Sequence, residues 1–414
     1  MKLRRLAAAA ASLAAGLLVL PACHGSAGAS VASTPAGEGG KGLPGPPSPL
    51  GPGGDTAWLQ TVTGAFADLA TGVAADASGI TVAVAQGDAP APSTDALTVL
   101  RLDAAGSRVA VHRFEAACGV AGTLLGDAPD GTAYLLVATP CSVAVAGLAA
   151  GVLPPSGTLL ALDPVAGAGS AVPSGAVLAG AVDSRGRAVV LSSSGGLEEV
   201  VVVAAGGQPA WRVPQDGARL LVALPAGGVV VATAPADGSA PSLAALGDDG
   251  APRWSRELPA GLALRHLAAL TDGAVAVSAV LSGEASFAGA LAGAKGEQRQ
   301  VVLAVEPDGA PRALVEVGDA DASAPAVQLG PLPHGRVLLY GFAGCDRLRG
   351  LSPHLEPVWA RNLDDACAAT ALGAALTPGG VAVVVGVFRG RADFGAGQVA
   401  TAVDQDGFVL GLLP

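Results

Sequence analysis

The 414-residue chain is just over half apolar and carries a net charge of −11, so it can fill a large core and is not disordered as a whole. Only 23 residues are basic, and the lysines are Lys2, Lys41 and Lys295 alone. That leaves no cationic stripe to neutralise phosphates and excludes nucleic acid as a partner. Beyond the N-terminus the apolar runs, such as Val200–Ala205 and Val381–Val387, are short and broken by Gly, Pro or Asp. A spanning helix needs roughly 20 continuous apolar residues, so these runs read as buried strands.

The first element is an export signal. Lys2, Arg4 and Arg5 precede an uninterrupted stretch of Leu, Ala, Val, Gly and Ser from Leu6 to Leu20, followed by Pro21, Ala22 and Cys23. A basic start and an apolar stretch too short to span read as a secretory signal over residues 1–22. Its end resembles the lipobox of bacterial lipoproteins, with Pro21 standing where that motif has a small residue. The resemblance implies that Cys23 is acylated, with palmitate among its chains, and becomes the mature N-terminus. His24 rather than Asp follows the cysteine, which by the same resemblance implies the outer membrane, on its periplasmic face or at the cell surface. Residues 23–55 are mostly Gly, Ser, Ala and Pro, a composition that cannot bury enough surface to fold and serves as a flexible tether.

The body, residues 56–414, is a set of repeats. A turn rich in Asp, Pro and Gly leads into a β-branched strand seven times. The pairs are Asp76–Gly79 before Ile80–Ala85, Pro129–Gly131 before Thr132–Ala138, Asp183–Gly186 before Arg187–Leu191, and Pro225–Gly228 before Val229–Thr233. Thr271–Gly273 before Ala274–Ala279, Pro333–Gly335 before Arg336–Tyr340, and Thr377–Gly380 before Val381–Val387 complete the set. Six steps separate Gly79 from Gly380, a period of about 50 residues, which is the spacing of four-stranded propeller blades. The phrase Asp-Gly-Ala-Pro-Arg recurs at Asp249–Arg253 and Asp308–Arg312, and Gly283–Phe287 matches Gly390–Phe394 at the offset of the preceding turn glycines.

Trp211, Trp254 and Trp359 each follow a third-strand turn, where a fourth strand would begin. Trp58 has the same local setting but precedes the first unit, while the C-terminus stops at a third strand, Gly407–Pro414. The expectation is an all-β, single β-propeller of seven four-stranded blades, within a bracket of six to eight, closed by strands from both termini. Such closure removes the open edges that invite aggregation, and the chain is expected to be a monomer. The repeated position of the four tryptophans points to packing between blades.

These Asp-Gly turns, the Trp after the third turn and the element at Gly390–Gly395 resemble the envelope lipoproteins with PQQ-like β-propeller repeats. The resemblance covers about residues 56–414 and is shallow in the second unit, around Leu148–Ala171.

With Cys23 acylated, Cys118, Cys141, Cys345 and Cys367 remain, and four cysteines allow three pairings. The near-equal spacings within one repeat region and the oxidising compartment favour Cys118 with Cys141 and Cys345 with Cys367. No histidine spacing fits zinc, and no His-Glu-x-x-His, Gly-x-Ser-x-Gly or phosphate loop is present. Asp319-Ala-Asp321 lacks the glycine and distal glutamate of a calcium loop. His334 reads as a solvated turn residue, and Asp364-Asp365 beside Cys367 as an exposed turn. The sequence therefore assigns no catalytic residue, metal or cofactor. The expected role is non-catalytic binding of an envelope protein or glycan through blade loops, with the long inserts Val143–Pro155 and Ser282–Gln298 as the functional face. The alternative is a degenerate propeller enzyme of quinoprotein dehydrogenase or lyase type.

Overall fold

The computed structural model describes residues 54–413 outside the segments 64–67, 87–95, 116–118, 145–151, 154–155, 168, 174–175, 195–196, 205–206, 235–238, 321–326, 342–346 and 365–366. The expected signal, Cys23 and the tether as far as residue 53 lie outside the described residues, while Gly54 and Asp55 at its expected end are described.

Seven four-stranded antiparallel sheets follow one another along the chain. Blade one comprises Asp68–Asp76, Gly79–Gln86, Ala96–Leu102 and Arg108–Glu115, and blade two Ala121–Asp127, Ala133–Thr139, Ser156–Leu162 and Gly169–Pro173. Blade three comprises Ala176–Val182, Ala188–Ser194, Leu197–Val203 and Pro209–Pro214, and blade four Ala218–Ala223, Val229–Thr233, Ser242–Leu246 and Pro252–Glu257. Blade five is built from Leu262–Ala269, Val275–Phe287, Ala290–Val305 and Pro311–Asp319, and blade six from Gln328–Pro331, Val337–Tyr340, Arg347–Leu351 and Pro357–Asn362. Blade seven takes Ala369–Leu376, Ala382–Phe388 and Asp406–Leu413 from the end of the chain and Asp55–Val62 from its start. The first strand of every blade packs on the first strands of both neighbours, blade seven against blade one included. The ring is closed, and the protein is a seven-bladed β-propeller.

The sequence pattern explains each layer. Second and third strands are covered on both faces, so Gly79–Gln86 and Ala96–Leu102 are buried almost without interruption and read as continuous Val, Ala and Leu. Outer strands are half-solvated, and Pro252–Glu257 and Pro357–Asn362 alternate between exposed and half-buried residues. These outer edges resist further pairing: Pro209, Pro252, Pro311 and Pro357 each begin one. In every blade but the second, a bulge further interrupts the outer strand, at Ala57, Val109, Ala210, Arg253, Arg312 and Val358.

The closing strand copies the turn it replaces. In blades one, three, four and five a glycine in the third-to-fourth turn donates back three residues, as Gly106 does to Asp103 O (3.0 Å) and Gly309 to Glu306 O (2.9 Å). In blade seven that turn is cut, yet the Gly54 N–H still meets Leu413 O at 2.5 Å. Gly54 holds φ +95° and Gly106 φ +80°, a left-handed conformation that L side chains avoid.

The inserts between second and third strands lie on the seams between blades. In blade five, Gly283 at φ +89° bends the hairpin, and Ala285, Phe287 and Ala292 join the core shared with blade four. Blade seven repeats this with Gly390 at φ +61° and with Ala392, Phe394 and Ala400 in the core shared with blade six. Leu153 of the blade-two insert is fully buried against blade one. Phe394 packs edge-on to Phe388, with ring centroids 5.7 Å apart. The buried apolar residues of these inserts thus serve as packing, whereas Leu291 and Val399 are exposed. Asp364 corrects the expectation of an exposed turn. It is buried and accepts hydrogen bonds from the N–H groups of Ala368 (2.7 Å) and Asp393 (2.8 Å), tying the insert to the strand before it.

Candidate functional site

In an antiparallel meander the first-to-second and third-to-fourth turns share one end of each blade. At that end the seams between blades are assembled from aromatic rings, glycines and Asp–Arg pairs. Trp211 of blade three lies on Gly250 of blade four and donates from Nε1 to Asp248 O (2.7 Å). Trp254 of blade four lies on Gly309 of blade five and donates to Pro307 O (2.8 Å). Trp58 lies on Gly106 and Trp359 on Gly54, so the same contact recurs on both sides of blade seven. Blade one has Ala110 at the tryptophan register, opposite Arg101. Two residues on, His112 takes over, with its ring on Gly167 and Nε2 2.7 Å from Pro164 O. Sequence pattern alone misses this substitution because the histidine is out of register with the tryptophans.

A recess of about 470 Å³ opens between the Asp183–Gly186 turn of blade three and the Gly247–Ala251 turn of blade four. Arg185, Asp248, Asp249, Pro252 and Arg253 line it. Asp248 is its organiser. One carboxylate oxygen accepts from Gly228 N–H (2.9 Å) and the other from Arg185 Nη2 (2.6 Å). Behind it, Arg187 is held by Asp183 at 2.7 Å. Arg185 remains exposed over most of its side chain, and Arg253 is exposed and donates to Gly227 O at 3.0 Å. Two guanidinium groups with unused donors lie beside two carboxylates in this lining, a set able to hydrogen-bond an anionic or hydroxyl-bearing ligand. A second recess, about 340 Å³, lies over Arg361, Asn362, Asp393 and Gly395. There Arg361 is committed to the ring closure, donating to Gly54 O (2.7 Å), Thr56 Oγ1 (3.0 Å) and Phe394 O (2.5 Å).

Titratable groups are also buried away from the recesses. Arg101 and Asp127 join blades one and two and are treated below. His266 on the first strand of blade five accepts the Leu329 N–H of blade six at Nδ1 (3.3 Å), and burial pushes its pKa down to about 4. The unfolded chain binds the proton near pH 6.5 and the folded chain only near 4, so the contribution of His266 is present above pH 6.5 and lost as pH falls through that window. Replacing His266 with Gln should remove roughly 2 kcal/mol of acid destabilisation between pH 7 and 4. Urea midpoints at the two pH values check this, and an unchanged acid slope would contradict it.

Of the residues singled out in the sequence, Cys141 and Cys367 are each disulfide-bonded, while Cys118 and Cys345 lie outside the described residues. Cys141 packs on the core that contains Phe114 and Val120, on either side of position 118. His334 is exposed at φ +63° in its turn. Asp319 pairs with Arg299, and among the described residues no group of metal-ligating side chains converges.

No protein-family model matches the chain, and no curated protein does. Solved structures similar to it include a virginiamycin B lyase from Staphylococcus aureus, at 10% identity and TM-score 0.48, covering 85% of this chain and 98% of that one. The Pan2 WD40 domain of Neurospora crassa is 12% identical at TM-score 0.47, covering 83% and 88%. The Dos1 propeller is 9% identical at TM-score 0.47, covering 86% and 95%. At such identities no activity carries over to this chain.

Proposed function

We propose that the chain is a non-catalytic propeller of the bacterial envelope, related to the lipoproteins with PQQ-like repeats, that binds a ligand in the recess between blades three and four. The basic and apolar start, Cys23 and the Gly/Ser/Pro tether support export and anchoring by lipid at the outer membrane. The observation that carries the binding role is the recess itself, where exposed Arg185 is held by Asp248 at the Trp211 seam and exposed Arg253 by Gly227 O. The protein acts as a monomer, since its outer strands are blunted by proline and bulges. Disulfides Cys118–Cys141, at blade two, and Cys345–Cys367, from blade six to the start of blade seven, act as staples, each contributing about 3 kcal/mol by loop closure.

Mass spectrometry of protein taken from native envelopes tests the address and the staples together. The expected result is an acylated N-terminal peptide beginning at Cys23 and the two disulfide-linked peptides under non-reducing digestion. A mature N-terminus elsewhere, or a Cys23→Ala protein that stays membrane-bound, would remove the anchor from this reading.

A further inference from the structure

Blades four and five contain an internal control for one arginine. Their third-to-fourth turns share the phrase Asp-Gly-Ala-Pro-Arg, at Asp249–Arg253 and Asp308–Arg312. The turns close alike, with Gly250 donating to Gly247 O (3.0 Å) and Gly309 to Glu306 O (2.9 Å). The terminal arginine is the bulged residue of the outer strand in both. In blade five Arg312 is consumed. It pairs with Asp272 at 2.7 Å and Glu306 at 2.6 Å, its side chain is 8% exposed, and the hydrogen bond to Glu306 followed by that to Asp272 holds its charge more firmly than usual.

The same hydrogen bonds align the partners. Gly227 donates to Leu224 O as Gly273 does to Leu270 O, so Ala226 stands where blade five has Asp272. Gly247 likewise stands where blade five has Glu306. Blade four has kept the arginine and lost both counter-carboxylates. Arg253 is left with a carbonyl partner, exposed in the recess beside Arg185. A guanidinium needed only to hold the turn would be expected to keep its ion pairs, and one aimed at a ligand has to shed them.

We propose that this recess binds the carboxylate of a small acidic saccharide on the guanidinium groups of Arg253 and Arg185. This deepens the binding role given above and rests on it. About 470 Å³ holds more than a bare ion, and the lining is polar, with no aromatic or large aliphatic side chain. One Asp249 oxygen is used by Ala251 N–H (3.0 Å), and the other accepts sugar hydroxyls. Asp248 and Asp249 together repel a dianion, which favours a singly charged sugar acid over phosphate.

The test titrates galacturonate, glucose, acetate and inorganic phosphate separately into the full chain at low salt, followed by NMR. Galacturonate is expected to bind with a Kd on the order of 1 mM, the others about tenfold more weakly. Ala226→Asp, which restores the counter-ion of blade five, is expected to weaken galacturonate about tenfold without lowering the melting temperature, and Arg253→Met to do the same. Phosphate binding as tightly as galacturonate, or Ala226→Asp binding like the parent, overturns the proposal. A photo-crosslinker at Ala251 in envelope material separates the two levels. An occupant captured but not displaced by galacturonate overturns the acidic sugar and leaves the recess as a binding surface, whereas no occupant overturns both.

Discussion

Replacing Arg101 with Met is expected to lower the unfolding free energy by about 3–5 kcal/mol at pH 7.5, the range for leaving a buried partner charge uncompensated. Arg101 sits on the third strand of blade one with 2% of the residue exposed. It bonds Asp76 of its own blade at 2.6 Å, Asp127 of blade two at 3.0 Å, Thr81 Oγ1 at 2.6 Å, and Ser78. Two buried carboxylates share this one cation, and Asp76 Oδ2 and Asp127 Oδ1 are buried without partners. Burial outweighs the arginine and pushes the Asp127 pKa up to about 7. A raised carboxyl pKa means the folded state holds the proton between pH 4 and 7, so its contribution is greatest in acid and lost as pH rises through 7. Removing Arg101 raises that pKa further. The loss should therefore shrink on going from pH 7.5 to 4.5, read from urea unfolding at both pH values. Asp127→Asn should flatten the slope of the parent protein over the same window. A loss that is constant with pH would show that Arg101 acts through packing alone.

What the sequence revealed and what it concealed divide along physical lines. The seven blades and the closing strand were legible because each rests on a short-range signal. Turn glycines recur at a fixed period, covered strands are unbroken apolar runs, and Trp58 stands in a fourth-strand setting with no blade before it. The role of the inserts was harder to read. Length and position make them look like binding loops, and only the folded chain puts Phe287 and Phe394 into seams. Their signal was present in the shared Gly-x-Ala-x-Phe pattern, whose alternating small and aromatic residues describe a packed face. Arg101 was likewise visible as the one charge in the run Ala96–Leu102, but its partners at positions 76 and 127 lie on other strands. The difference between Arg253 and Arg312 was hidden for the same reason. The five-residue phrase is identical, and the counter-ions that distinguish them are set by residues 226, 247, 272 and 306, which only the blade geometry brings alongside.

The ring closure makes the sharpest demand on the chain, because one strand and one glycine contact must replace a covalent turn. A chain lacking everything before Thr63 exposes the full edge of Asp406–Leu413, which pairs with Asp55–Val62 along its length, and is expected to associate rather than remain a monomer. Size-exclusion chromatography reads this, and a monodisperse, fully folded monomer would refute it. A subtler cycle isolates the seam. Trp58→Ala in the full chain should cost about 3–5 kcal/mol, as for a large aromatic lost from a packed site. Gly106→Ala should cost a similar amount, because a Cβ there overlaps the Trp58 ring and the residue sits at φ +80°. In the Trp58→Ala background the overlap is gone, and Gly106→Ala should then cost only the backbone term, about 1–2 kcal/mol. Denaturant midpoints of the four proteins give the coupling. Additive losses would mean that the ring of Trp58 and the turn of blade one do not meet, and that the propeller is held shut by strand pairing alone.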